Sequence, residues 1–305
     1  MALLTDDLKA WIGREVHYPA REELGRASIR YFALAIGDKN PLYVDDAYAR
    51  EAGYPSVIAP PTLICDSCQY ANRPPDANGY IGHEWPLPIV NCRMIRAGND
   101  YEFMRRVLPE DRISVTWTLE NIVERGSSRG GTQLFVTSVA RYQDAAGGGG
   151  RNKSRDSRLS ADGEHMIKPT RTAPMVRQDE ALPVLERTFT NVDLMAYGAA
   201  TWDWHRLHYD IDFARSMQLP NVVVDGQAFG ALFARAAEEW AGPCASIKRL
   251  SFKMKSMAFA GDTLRVEGEV SQIQPPTVIL AQRLTIDGRL VCQAETEMQL
   301  PALLA

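Results

Sequence analysis

The sequence predicts an α+β fold built from one unit used twice. Three observations lead there. Two blocks of β-type runs, 90–142 and 246–300, each follow a helical segment. The helix ahead of the second block, 226–242 (GQAFGALFARAAEEWAG), is the clearest in the chain. Phe229, Leu232, Phe233, Ala236 and Trp240 share one face, and Gly242 ends it. Finally, two polar segments keep the same register. DWHRLHYDIDFA (203–214) lies over DKNPLYVDDAYA (38–49), with Asp203 on Asp38, Leu207 on Leu42, Asp210 on Asp45 and Ala214 on Ala49.

At 305 residues the chain has room for two domains of ordinary size. Its 45% hydrophobic and 24% charged residues are those of a soluble globular protein. A net charge of −4 gives no global attraction to nucleic acid or an anionic membrane. No stretch approaches the ~20 apolar residues of a membrane span, and a cytoplasmic location is expected. Five scattered cysteines suit a reducing compartment. Cys65 and Cys68 form an isolated CxxC, read as small residues on a buried helix rather than a metal or redox pair.

In chain order, a short helix is expected at Leu3–Ile12, followed by a connector to residue 28. Asp45 and Asp46 are candidate caps of a short helix ending at Gly53. A strand end and a buried helix, Leu63–Tyr70, come next. The Pro- and Gly-rich stretch 72–88 reads as a long loop, either a lid carrying Tyr80, His83 and Trp85 or a plain surface excursion. Four β-type runs follow, VNCRMIRAG, YEFMRRVL, RISVTWTLENIVER and TQLFVTSVARY, the third turning Ile113, Val115, Trp117 and Leu119 inward. Residues 143–165 read as a flexible linker between a first unit, 1–142, and a second, 166–305. MQLPNVVVDGQ (217–227) reads as a strand into a turn at Gly226. Beyond the helix lie SIKRLSFKMKSM, DTLRVEGEVSQI, TVILAQRLTID and RLVCQAETEMQL. The first carries Lys248, Arg249, Lys253 and Lys255, read mainly as solvent-facing residues of an edge strand and, as the alternative, as contacts for phosphate groups.

The differences between the copies point to chemistry. The fifth residue after the shared Asp is His208 in the second copy and Tyr43 in the first. The helix-opening position is Gly226 in the second and Pro61, which has no N–H, in the first. An Asp and a His on a loop folded over a cleft can hold and activate one water. A glycine N–H opening a helix is an oxyanion donor, aided by the helix dipole. Water activation with enolate stabilisation is what hydration of an α,β-unsaturated thioester requires.

These residues resemble the MaoC-like hydratase/dehydratase family in its fused double-hotdog form, whose motif reads about D-x-N-P-x-H. Asp203-Trp-His205-Arg206-Leu207-His208 fits at the Asp and His and departs at His205 and Arg206. The family's HG turn is Asp225-Gly226 here, with a carboxylate in place of the histidine. The resemblance implies two hotdog units, each an antiparallel sheet wrapped around a central helix, of which the first is catalytically degenerate. It further implies that Asp203 and His208 activate the water and that Gly226 N–H polarises the thioester carbonyl. The product would be an (R)-3-hydroxyacyl thioester of CoA or acyl-carrier protein. On the alternative reading of Lys248, Arg249, Lys253 and Lys255, the phosphates they meet are those of CoA or the carrier protein. Arg206 is read equally as a ligand for a substrate phosphate or carboxylate and as a surface arginine or salt bridge to Asp210. Tyr197 and Gln227 are candidate pocket residues, Trp202 reads equally as acyl-pocket lining and as ordinary core, and His205 is expected to support the pair or to pack. No cofactor and no metal are expected. The two units would pair as a pseudo-dimer within one chain, with a homodimer of chains as the other arrangement. Competing readings are a hotdog thioesterase, a non-catalytic acyl-binding scaffold, and a lyase using the same Asp/His pair on another substrate.

Overall fold

The two halves carry their elements in a similar order, and the computed structural model describes residues 3–89, 95–126, 132–144 and 170–301. The first half runs α1 (Asp6–Lys9), β1 (Glu15–Tyr18), α2 (Arg26–Ala35), α3 (Asp46–Glu51), α4 (Leu63–Asp66), β2 (Gly98–Glu102), β3 (Ile113–Gly126) and β4 (Thr132–Asp144). The second runs β5 (Leu185–Thr188), α5 (Asn191–Thr201), α6 (Ile211–Ser216), α7 (Gln227–Ala241), β6 (Ser246–Met254), β7 (Thr263–Gln274), β8 (Thr277–Ile286) and β9 (Arg289–Gln299).

In the second half an antiparallel sheet, ordered β6-β9-β8-β7-β5, packs on α7. The helix forms because its small residues let the sheet approach, while Phe229, Phe233 and Trp240 supply apolar area. All three are buried, each contributing ~1.5–3 kcal/mol. A Cβ on Gly230 would lie 2.7 Å from the Phe252 ring of β6, so the close packing depends on that glycine. This is the hotdog arrangement expected from the sequence.

The first half is a reduced version. Its central helix, expected at Leu63–Tyr70, is only α4, followed by a 3-10 turn at Gln69–Ala71. The chain leaves the helix where Cys68 N–H donates to the Thr201 carbonyl of the other half at 2.7 Å. Among the described residues its own sheet has three strands, β1-β3-β4, while β2 crosses over to pair with β6. Strand β6 is therefore interior rather than an edge. Its Arg249 is ion-paired with Asp100 of β2.

Other expectations shift in detail. The connector before residue 28 already contains the start of α2. YEFMRRVL is a strand only to Glu102, and 217–227 contributes a single bridge, Val223 to Phe259. β4 runs into the expected linker as far as Asp144, and the rest of that linker lies outside the described residues. Helix α5, opened by a capping box of Thr190 and Asp193, carries no sequence expectation of its own. Residues of both halves share one core, including Phe32, Leu42, Phe189, Phe229 and Phe252. Phe32 and Tyr197, equivalent in the two copies, touch there with ring centroids 5.8 Å apart.

Candidate active site

The Asp-to-His segment is a loop closed by its own side chains. Asp203 Oδ1 accepts the His205 N–H at 3.1 Å, and His205 Nδ1 accepts the Leu207 N–H at 3.2 Å. That closes a 3-10 turn at Arg206–His208, after which Asp210 caps α6 by accepting the Phe213 N–H at 3.0 Å. The first copy repeats each step. Asp38 accepts from Asn40, Asn40 Oδ1 from Leu42, and Asp45 from Ala47 and Tyr48. His205 thus replaces an asparagine as the turn's acceptor, the supporting role expected of it. The register proposed from sequence is a true structural repeat.

Three side chains converge. One atom each from Asp203, His208 and Asp225 lies within 4.8 Å of the others. His208 Nδ1 is 2.8 Å from the Val223 carbonyl, which only accepts, so Nδ1 carries the proton and Nε2 is left free. Asp225 Oδ1 accepts the Gln227 N–H at 2.9 Å. Asp203 is buried. Burial first and the Asp225 charge second push its carboxyl up, while His208 and the His205 N–H pull it back. Gly226 opens α7 beside this cluster, and among the described residues no group accepts its N–H. The same three atoms would suit a divalent cation as well as a water.

The four expected pocket residues separate. Tyr197 is buried and donates to Asp66 Oδ2 at 3.2 Å. Gln227 Nε2 donates to the Cys65 carbonyl at 3.0 Å and to Asp66 Oδ1 at 3.3 Å. Both therefore hold a carboxyl beneath the site. Arg206 takes the salt-bridge role: its Nε and Nη2 donate to Asp210 Oδ2 at 3.0 and 2.8 Å, and it lies over the Phe213 ring. Trp202 ends α5 in the left-handed region, half exposed, on the wall of a cavity of about 360 Å³. Cys68, Gln69, Arg73 and Ile81 line that cavity too, and Asp203 and His208 do not.

The loop 72–88 covers the motif at its tip and is anchored at its base. Arg206 N–H donates to the Asn78 carbonyl at 2.8 Å. His83 stacks on Trp117 with its Nδ1 2.8 Å from Tyr18 Oη, and burial holds its pKa down to about 4. His83 and Trp85 therefore belong to the first half's packing.

In the first copy the place of His208 is taken by Tyr43, fully buried, whose OH donates to Glu238 of α7. Glu238 is ion-paired with Arg106. Burial and the nearby Glu238 push Asp38 up to about 7. In the first copy the Tyr43 position thus ties the two halves together through Glu238.

Sequence reasoning missed Asp66. The available signal was one carboxyl inside the apolar run LICDSC, which demands partners. Arg96, whose charge acts on Asp203 and Asp225, was also missed, having no pattern around it.

Comparison with known proteins agrees with this architecture. A family model described as "FAS1-like, dehydratase domain region" matches residues 10–148, and one described as "MaoC like domain" matches 175–281. The chain belongs to the MaoC-like hydratase family, with two domains. A UPF0336 protein of Saccharopolyspora erythraea is 52% identical over 120 residues, covering 39% of this chain and 73% of that protein. A Thermomonospora curvata protein named "Probable enoyl-CoA hydratase alpha subunit" is 30% identical over 150 residues, 46% of each chain, so the chain spans under half of that relative's length. A solved structure titled "MaoC-like dehydratase" superposes with TM-score 0.75 at 18% identity, covering 96% of this chain and all (100%) of that one, and shares the fold.

Proposed function

We propose that the chain adds water across the double bond of an α,β-unsaturated acyl thioester, or removes it, at one site in the second half. Asp203 and the Nε2 of His208 hold the water. The pair takes one of its protons as the oxygen bonds to C3 of the substrate, and C2 receives a proton in return. Gly226 N–H, at the positive end of α7, takes up the negative charge that develops on the thioester oxygen. Addition from one face gives the (R)-3-hydroxyacyl thioester. The first unit, 1–142, is the degenerate partner and the second, 166–305, the catalytic one.

One observation carries this reading. Asp203 and His208 converge with Asp225 in the second copy, next to Gly226, whose N–H has no acceptor among the described residues, while in the first Tyr43 and Pro61 stand in the places of His208 and Gly226. The hydratase named among the relatives supports the choice of an acyl-CoA substrate. The test is an enoyl-CoA assay that follows enoyl absorbance and free thiol together. Loss of absorbance without thiol release is expected. Thiol release with the double bond intact would make the protein a thioesterase.

A further inference from the structure

Beneath the cluster, which holds the Asp203 and Asp225 carboxyls, lies a third carboxyl to which the steps above assign no role. Asp66, from α4 of the degenerate half, is 2% exposed. Three elements of the fold meet on it. Tyr197 of α5 donates to Oδ2 at 3.2 Å, and Tyr101 of β2 and Gln227 of α7 donate to Oδ1 at 3.4 and 3.3 Å. Gln227 also donates its backbone N–H to Asp225 at 2.9 Å. It therefore ties Asp66, by its side chain, to the Asp225 carboxylate, by its main chain, and Gly226 sits between the residues so tied.

On the hydratase reading above, we propose that Asp66 is a positioning residue, through which the degenerate half fixes the Asp225–Gly226–Gln227 turn and aims the oxyanion donor. Its protonation state suits the task. Burial first and the Asp225 charge second push it up to about 8, so near neutrality it adds no buried negative charge below a developing enolate. The groups facing it are Tyr197, Tyr101, Thr62, Gln227 and Asp225, with Cys65 beside it on α4 and Arg96 acting across Tyr101. Burial raises Tyr197, Tyr101 and Cys65 well above their ordinary values, and Arg96 remains charged. Ionisation of Asp66 as pH rises through about 8 places a negative charge under the turn, and turnover falls.

The experiment compares pH–rate profiles of wild type, Asp66→Asn and Asp66→Ala on an enoyl-CoA, with thermal melts alongside. Asp66→Asn keeps the shape and the uncharged state. It is expected within about threefold of wild-type kcat near neutral pH and without the fall near pH 8. Asp66→Ala is expected to lose about tenfold or more in kcat with KM within about twofold. An unchanged alkaline fall in Asp66→Asn, or wild-type kcat in Asp66→Ala, overturns the inference. Should Asp66→Ala fail to fold, the Asp66→Asn profile alone decides. Absence of enoyl-CoA turnover by the wild type overturns the hydratase reading and this role with it, whereas wild-type turnover with indifferent Asp66 variants overturns this role alone.

Discussion

Replacing Glu238 by alanine isolates what the Tyr43–Glu238–Arg106 clamp contributes. Its carboxylate is ion-paired with Arg106, the two side chains being 6% and 14% exposed, and it accepts the Tyr43 hydroxyl. Truncation leaves a guanidinium and a phenol buried without their acceptor. Breaking such a pair costs ~3–5 kcal/mol. Arg106 keeps a bond to the Ala245 carbonyl at 2.9 Å, which favours the lower end, ~3 kcal/mol. At ~2–3 °C per kcal/mol for a chain of this size, Tm should fall by ~6–9 °C. Glu238 lies twelve residues after Gly226, about 18 Å along α7, so the chemistry should be spared. Circular dichroism melts give the first number. Enoyl-CoA turnover measured well below both transitions gives the second, expected within about threefold of wild type. An unchanged Tm, or lost turnover in the folded variant, would refute the clamp.

Two further outcomes follow from the site. In the proposed mechanism Asp203 accepts a proton only when ionised, and the Asp225 charge is the second cause holding its carboxyl up, after burial. Asp225→Asn should therefore move the acid limb of kcat/KM to lower pH, and a limb that stays or rises would contradict the coupling. Gly79 has φ +84°, and a Cβ there would lie 1.9 Å from the Trp204 carbonyl oxygen. Gly79→Ala should lift the loop off the motif and lower kcat/KM by about tenfold or more, at a Tm within a few degrees of wild type. Wild-type kinetics in that variant would mean that the loop tip plays no part in holding the motif.

Much of the fold was legible because both periodicities were strong. The apolar face of 226–242 and the long runs of the second half became α7 and β6 to β9 with little change. The repeat was legible because capping and turn chemistry is local: Asp, Asn or His, and Asp recur at the same spacing in both copies and make the same bonds. What failed was decided by contacts distant in sequence. α4 is short because its chain pairs with Thr201, and β2 leaves its own half to join β6, neither of which a local pattern encodes. The Asp203–His208–Gly226 constellation was readable from the differences between copies. The roles of Tyr197 and Gln227 were not, since both depend on Asp66, far from either in sequence. Arg206 was balanced between two roles until its partner was seen.

The measurement that tests the central claim most directly is the rate of enoyl-CoA hydration by wild type, Asp203→Asn and His208→Ala, with melts to confirm folding. The account predicts turnover by the wild type and a loss of ~10²–10⁴-fold in each variant, with the double variant little worse than the poorer single one. Wild-type rates in either folded variant would place the chemistry elsewhere in the molecule.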